Sequence, residues 1–225
     1  MVLLFTYPST RGKGDAAKDS SKNKHDGQIE KATWADGKFG KALRLKSGSG
    51  SFVHVKSNKM LNVDKFTFMA WVNIEDWVGA TRQIVGKSVH GGCTGRGQYG
   101  FFSEGGNMKL RLETEAGRVD VTTKPPAAKK WVHLACSNDG KEVAKGKTPG
   151  KLKANDDPWV IGQDCERLNY IPTGLIDEAR LWNRALSAKD IGTYMNKGAS
   201  EVFATTTITP KVKLPLTWSK IKTGY

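Results

Sequence analysis

The stretch FTFMAWVNI, residues 66–74, decides the fold of this 225-residue chain. In an extended conformation successive side chains point to opposite faces. Met69 and Trp71 then lie on one face, and the other carries Phe66, Phe68, Ala70, Val72 and Ile74. A strand that is apolar on both faces is typical of the centre of a covered sheet. We therefore predict a central strand here.

Shorter runs with the same two-residue alternation occur on both sides of this strand. Turn-forming sequences such as Gly105-Gly106-Asn107 and Asn138-Asp139-Gly140 separate them. About ten short strands at regular spacing predict an all-β fold, a sandwich of two antiparallel sheets. The predicted strands are 2–7, 42–46, 51–56, 83–87, 99–103, 109–113, 118–122, 131–137, 159–162 and 174–184.

One helix and two less regular segments complete the prediction. Ser187 and Asp190 form a capping-box pattern that opens a short C-terminal helix ending at Met195. The polar residues 11–26 are predicted to form a surface loop. We predict one domain over residues 1–200 and an extended tail or linker over 201–225, where Pro210 and Pro215 interrupt regular structure.

The chain is strongly basic, with a net charge of +14. Such a charge attracts polyanions, for example a sulfated glycan, although the basic residues are spread along the chain and also suit a solubilising surface. They form no long run and no nucleic-acid-binding motif, so a specific nucleic-acid partner is not expected. The sequence has no apolar run long enough to be a transmembrane segment.

The three cysteines divide into two groups. Cys136 alternates with Val132 and Leu134 and is predicted to be a buried apolar residue. Cys93 and Cys165 both fall in glycine-rich or polar loops. We predict a disulfide between these two, with two free surface thiols as the alternative.

Four segments, in this order and at these spacings, resemble the laminin-G-like domains of the concanavalin A-like superfamily. They are 32–43 (ATWADGKFGKAL), 66–72 (FTFMAWV), 131–135 (WVHLA) and 174–187 (GLIDEARLWNRALS). The resemblance implies a jelly-roll sandwich, secreted or at the cell surface. It also implies a glycan or a cell-surface or matrix component as ligand, and in some members a structural calcium ion.

The sequence departs from the family pattern in two places. About ten residues, enough for one strand, are missing after Ser137. The first strand normally ends in an acidic residue, whereas Tyr7 is followed here by Pro8.

Asp177 is the most informative carboxylate. A regular strand would place it on the same face as Leu175, Ala179 and Leu181, and a buried charge needs a partner. That partner is a calcium ion, an arginine or a set of main-chain N–H groups. If it is the calcium that the resemblance implies, Asp15 or Asp19 is the candidate second ligand, in place of the missing first-strand acid.

Catalysis is not predicted. A glycoside hydrolase needs two carboxyl groups about 5–10 Å apart across the sugar. Glu113 and Glu115 have a suitable spacing but run into a turn, and the acidic motif of the laminarinase-like hydrolases is absent. A hydrolase is therefore the least favoured of the functions considered.

We predict a non-catalytic, lectin-like binding module that recognises carbohydrate through loops at one end of the sandwich. Aromatic faces stack on sugar rings and polar groups bind hydroxyls, which selects the loop residues Trp77, Arg96, Tyr99, Glu166, Asn169 and Tyr170. Packing of Trp77 and Tyr99 at the edge of the core is the alternative for those two. A structural or adhesive domain that binds protein or a polyanion is the alternative function.

Overall fold

The computed structural model describes residues 1–6, 16–87, 97–140, 150–163, 168–198 and 201–202. Its strands are all antiparallel and form two facing sheets, which confirms the predicted sandwich. Sheet I contains, in spatial order, β4 (Thr33–Asp36), β5 (Lys41–Leu45), β14 (Gly174–Trp182), β7 (Phe66–Ile74) and β12 (Val132–Asn138).

Sheet II is the larger of the two. Its spatial order is β3 (Gly27–Glu30), β6 (Phe52–Val55), β13 (Trp159–Ile161), β8 (Arg82–Lys87), β9 (Tyr99–Glu104), β10 (Asn107–Thr114) and β11 (Gly117–Thr123). Two further strands join the sheets, because β1 (Leu3–Thr6) pairs with β14 and with β2 (Ala16–Asp19), and β2 pairs with β3.

The central strand β7 has the predicted faces. Its phenylalanines point into the core between the sheets, where Phe68 meets Trp159 of sheet II at 6.3 Å between ring centroids and Phe66 stacks on Tyr99 at 4.7 Å. Met69, on the opposite face, packs against Trp182 and Leu186. Both faces are therefore covered, as the apolar pattern predicts.

Cys136 packs against the same core, as predicted. Burial raises the pKa of its thiol to about 12, so the group is neutral at physiological pH. This cysteine behaves as a small apolar residue.

The predicted helix α1 (Ala188–Met195) forms on the outer face of sheet I. Ser187 and Asp190 make the expected capping box. Arg180 of β14 donates from Nη1 to the carbonyl of Tyr194 at 2.7 Å and from Nη2 to that of Lys197. A guanidinium suits a helix C-terminus, where main-chain carbonyls lack partners. Arg180 therefore fastens the helix to the sheet.

The prediction that Asp177 shares a face of β14 with Ala179 and Leu181 is wrong. The pairing of β14 with β7 shifts between Asp177 and Arg180, and Glu178 between them has a positive φ of 52°. A β-bulge adds one residue to a strand and so exchanges the faces on its two sides. Asp177 lies opposite Trp71, on the outer face of sheet I, whereas Ala179 and Leu181 lie in the core.

The predicted surface loop at 11–26 is wrong in part, because residues 16–19 form β2, with Ala17 and Asp19 buried. Residues 203–225 of the predicted tail lie outside the described residues. Within the described part of the chain, no helix is both long and apolar enough to cross a membrane.

Candidate functional site

Three connections meet at the end of the sandwich where β8 begins. The turn between β5 and β6 is joined to the connection before β14, because Gly48 N donates to the Leu168 carbonyl at 2.9 Å. The loop between β7 and β8 joins the same connection, because Glu75 N donates to the Thr173 carbonyl at 2.9 Å. Main-chain hydrogen bonds therefore fix how these loops are arranged.

A set of hydrogen-bonded polar groups lies between these loops. Arg82 donates from Nη1 to the carbonyl of Asn169 at 3.0 Å, and its Nη2 lies 3.5 Å from Oδ2 of Asp76. Asp76 also accepts a hydrogen bond from Val78 N at 2.8 Å. The side chain of Arg82 is 14% exposed and that of Asp76 is 54% exposed. The carboxylate therefore remains accessible to a ligand, while the guanidinium mainly supports the loops.

Apolar surface lies beside this polar group. Val78 is 65% exposed and Leu168 is 46% exposed, so two apolar side chains are open to solvent at this end of the sandwich. Asn169 is exposed and Tyr170 is half-buried. The rim cluster consists of these six residues: Asp76, Val78, Arg82, Leu168, Asn169 and Tyr170.

Of the predicted ligand residues, the rim cluster contains Asn169 and Tyr170. Trp77 is adjacent in sequence, but it is only 3% exposed and belongs to the core. In this conformation its ring face is not open to a ligand. Arg96 and Glu166 lie outside the described residues, as do both cysteines of the predicted disulfide, Cys93 and Cys165.

Tyr99 is also buried, at 4% exposure. It pairs with Lys87 at the far end of β8, whereas Arg82, at the near end, pairs with Ser103. Because a strand rises about 3.4 Å per residue, Lys87 lies about 17 Å from Arg82 along β8. The structure therefore does not bring Tyr99 together with Asn169 and Tyr170.

Asp76 and Arg82 were not predicted from the sequence as ligand-binding residues. Both lie next to features that were recognised, since Asp76 precedes Trp77 and Arg82 precedes the predicted strand 83–87. The opposite charges of Asp76 and Arg82, at the two ends of the loop between β7 and β8, were the signal that could have identified them.

Asp177 holds a turn. Its Oδ2 accepts a hydrogen bond from Phe39 N at 2.8 Å, which ties β14 to the turn between β4 and β5. A Cβ at Gly37 would lie 2.6 Å from the same oxygen, so the close approach requires glycine. Burial raises the pKa of Asp177 to about 7. Two of the motifs that carry the family resemblance, 32–43 and 174–187, therefore meet at this carboxylate.

Calcium takes six to eight oxygen ligands, whereas in the described structure Asp177 and Asp19 each accept hydrogen bonds from nearby donors. Asp19 accepts from Ser21 N and Oγ, both at 2.8 Å, and from His25 N at 2.7 Å. No group of three potential metal-ligating side chains occurs within the described ranges. Calcium binding stays a prediction that the resemblance suggests.

Two acidic side chains on the outer face of sheet II, on β10 and β11, are paired with arginines. Glu113 is 2.6 Å from Arg118, and Asp120 is 2.8 Å from Arg111. Glu115 lies in the turn after β10, and its N–H donates to the Lys151 carbonyl at 3.0 Å. Glu113 is therefore engaged in an ion pair rather than open for proton transfer.

A protein-family model of the laminin-G type, from the concanavalin A-like lectin/glucanases superfamily, matches residues 47–192 of this chain. The match covers more than half of the chain. The chain belongs to this superfamily. A comparison with curated proteins finds no match.

Among solved structures, this superfamily member is similar to the binding domain of Paraclostridial Mosquitocidal Protein 1, with 16% identity and a TM-score of 0.65. It is also similar to the binding domain of botulinum neurotoxin DC in complex with SialylT, with 14% identity and a TM-score of 0.64. Each likeness covers 87% of this chain but only 51% and 50% of the toxin domains. The chain thus spans about half the length of these domains.

A third similar structure is domain 4 of AbnA, an extracellular GH43 arabinanase from Geobacillus stearothermophilus, in complex with arabinotriose. The identity is 19% and the TM-score 0.61, and the likeness covers 85% of this chain and 96% of that domain. At such identities the likenesses establish the fold.

Proposed function

We propose that this chain is a non-catalytic carbohydrate-binding module whose ligand contacts the rim cluster. The observation that carries the proposal is the combination, at one end of the sandwich, of exposed Val78 and Leu168 with the accessible carboxylate of Asp76. Sugars offer apolar ring faces and hydroxyl groups together, and sites that bind them combine apolar and polar groups in the same way.

The similar structures support this proposal without identifying the sugar. One toxin domain was solved in complex with SialylT and the arabinanase domain with arabinotriose. The ion pair between Glu113 and Arg118 supports a role without catalysis, because it engages one of the two carboxylates whose spacing would suit a hydrolase. A module of this kind acts where glycans are displayed, so secretion or cell-surface display is part of the proposal.

The test compares two exposed apolar residues at opposite ends of the molecule. Leu168, in the rim cluster, is 46% exposed, and Met60, in the short 3-10 helix Lys59–Leu61, is 47% exposed. Gln98 accepts from Val63 N and donates from its own N–H to the Lys87 carbonyl, which places Met60 near the far end of β8. The two residues therefore form a matched pair.

On a glycan array we expect wild type and Met60→Asp to bind the same glycans, and Leu168→Asp to lose at least tenfold in affinity. Asp76→Ala is expected to weaken binding to the same glycans, through loss of an acceptor for sugar hydroxyls. An array without any signal for wild type would contradict the carbohydrate role. Equal losses from Leu168→Asp and Met60→Asp would remove the rim cluster as the site.

A polyanion-binding or adhesive role is the second candidate, and the net charge of +14 favours it. Electrostatic binding to a polyanion weakens steeply with salt. A heparin column run with a salt gradient separates the two functions. Retention to high salt with no array signal for neutral glycans would favour the second candidate.

A further inference from the structure

The last strand of sheet I, β12, is an edge strand of the described part of the molecule. β12 pairs with β7 over its whole length, from Val132 to Asn138, and among the described strands it has no neighbour on the other side. In an antiparallel ladder alternate residues bond to one neighbour, so about half of the N–H and C=O groups of β12 point away from β7. Such a row of main-chain groups is a template for another strand.

β12 lacks the features that usually protect a sheet edge, which are charged side chains, proline and β-bulges. Its sequence, VHLACSN, contains neither proline nor a permanently charged residue, and its register with β7 is uninterrupted. Burial and the nearby Arg180 lower the pKa of His133 to about 4, so the strand is neutral at physiological pH. The edge strand β11, by contrast, carries Arg118 and Asp120.

The side chains of β12 leave apolar surface for a new neighbour. Val132 and Cys136 point towards the core but are only partly buried, and Ala135 on the other face is exposed. A strand paired with β12 would cover the surface of Val132 and Cys136 that is still exposed. Apolar or β-branched residues at alternate positions of that strand suit this role.

Charge around the edge determines which strand fits. Lys129 and Lys130, both exposed, precede β12, and Lys129 is held there by a hydrogen bond from its N–H to the Ile74 carbonyl at 2.7 Å. At the other end Lys65 lies near Gly140, together with Asp64 and Asp139. Only the start of β12 is therefore clearly basic, and an antiparallel strand would bring its C-terminal end there.

Segments of the same chain fit this edge poorly. Residues 203–225 contain Lys211, Lys213, Lys220 and Lys222 and no acidic residue, and residues 141–149 contain three lysines and one glutamate. Two copies of the chain repel each other, since each carries a net charge of +14.

We propose that the edge of β12 binds an extended segment of an acidic partner protein by antiparallel β-strand addition. The segment is apolar or β-branched at its centre and acidic at its C-terminal end, next to Lys129 and Lys130. Main-chain hydrogen bonds supply affinity in this mode of recognition, and the pockets along the edge supply selectivity. The proposal uses neither the rim cluster nor a glycan, although Lys129 bonds to Ile74 at the same end of the sandwich.

The probe is a fluorescein-labelled peptide of alternating valine and threonine that ends in three glutamates, measured by anisotropy with the full chain. We expect saturable binding that is lost when alternate peptide nitrogens are methylated, because methylation removes the donors but keeps the side chains. The double variant Lys129→Glu/Lys130→Glu should weaken binding about tenfold at low salt. Lys151→Glu/Lys153→Glu, beside β10, makes the same change in net charge and should bind like wild type.

Three outcomes would overturn the proposal. The first is equal binding of the methylated peptide, which would mean that no strand is added. The second is strong hydrogen-exchange protection of every β12 amide in the free protein, which would mean that the edge is already occupied. The third is a dimer in sedimentation that Ala135→Lys dissociates, which would assign the edge to a second copy.

Discussion

Asp177 is a carboxylate whose protonation is coupled to folding. Its group lies on the outer face of sheet I, beneath the turn that contains Phe39, and burial raises its pKa to about 7 from an unfolded value of 3.8. A raised acid pKa means that the folded state holds a proton which the unfolded state releases. Its contribution to stability is therefore fully present below about pH 4 and is lost as the pH rises through 7.

The variant Asp177→Asn keeps an oxygen acceptor for the N–H of Phe39 and removes the titration. We expect the free energy of unfolding of wild type to fall relative to this variant between pH 4 and pH 8. The change is at most about 4 kcal/mol, because each pKa unit corresponds to about 1.4 kcal/mol. Urea unfolding of both proteins across this range is the measurement. Parallel pH profiles would show that Asp177 does not titrate differently in the two states.

At the scale of elements, Arg180 connects the bulge in β14 to α1. It is 1% exposed, pairs with Glu178 at 2.6 Å and donates to the carbonyls at the end of the helix. Removing one member of a buried ion pair leaves the other charge without compensation. Helix docking and the bulge are therefore expected to weaken together.

For Arg180→Met we expect a loss of about 3–5 kcal/mol in the free energy of unfolding, together with faster amide exchange in α1. The matched control is Arg44→Met on β5, an exposed position, where the change should remain within about 0.5 kcal/mol. Chemical unfolding and hydrogen exchange followed by mass spectrometry supply the two readouts. Unchanged exchange in α1 would contradict the docking role.

Gly174, at the first position of β14, allows two strands to approach closely. Its φ is 150°, and a Cβ would lie 2.3 Å from the carbonyl oxygen of Asn73 on β7. Gly79, in the loop between β7 and β8, also has a positive φ, of 91°, but a Cβ there would meet no atom within 4 Å. Comparing alanine variants at the two positions therefore distinguishes the cost of a steric clash from the cost of a strained backbone conformation.

We expect Gly79→Ala to cost about 1 kcal/mol, which is the strain of the backbone conformation alone. Gly174→Ala should cost clearly more, because the main chain of Asn73 must also move. Thermal and urea unfolding of the two variants gives the comparison. Equal costs would show that the strands separate easily at this position.

At the scale of the whole molecule, a net charge of +14 repels itself within a compact fold. Salt screens this repulsion over a Debye length of about 10 Å at 0.1 M. We therefore expect the urea midpoint to rise between 10 mM and 200 mM sodium chloride, and to rise equally in sodium fluoride. A midpoint that falls with salt would show that the attractive ion pairs outweigh the repulsion.

Much of this architecture follows from residue patterns. The stretch 66–74 correctly predicts an interior strand of sheet I, paired on both sides, because its alternation is uninterrupted and both faces are apolar. The capping box at Ser187 likewise predicts the start of α1. Both features depend only on residues that are close together in the sequence, so the sequence alone is enough to predict them.

The errors occur where a longer-range feature decides. The bulge near Glu178 reverses the faces of β14, and no residue pattern around Asp177 indicates it. The four-residue strand β2 is too short and polar to stand out, and it forms because β1 and β3 lie on its two sides. In the candidate site, Asn169 and Tyr170 were recognised as loop residues. The contact between Asn169 and Arg82, by contrast, depends on how separate loops meet.

The way the rim loops are joined has a practical consequence. Gly48 with Leu168, Glu75 with Thr173 and Lys129 with Ile74 are joined through main-chain atoms, which any residue other than proline can supply. The side chains at Val78, Leu168 and Asn169 can accordingly be randomised together while the loops keep their course. A combinatorial library at these positions would turn this sandwich into a display scaffold in which new specificities are selected without redesigning the interior.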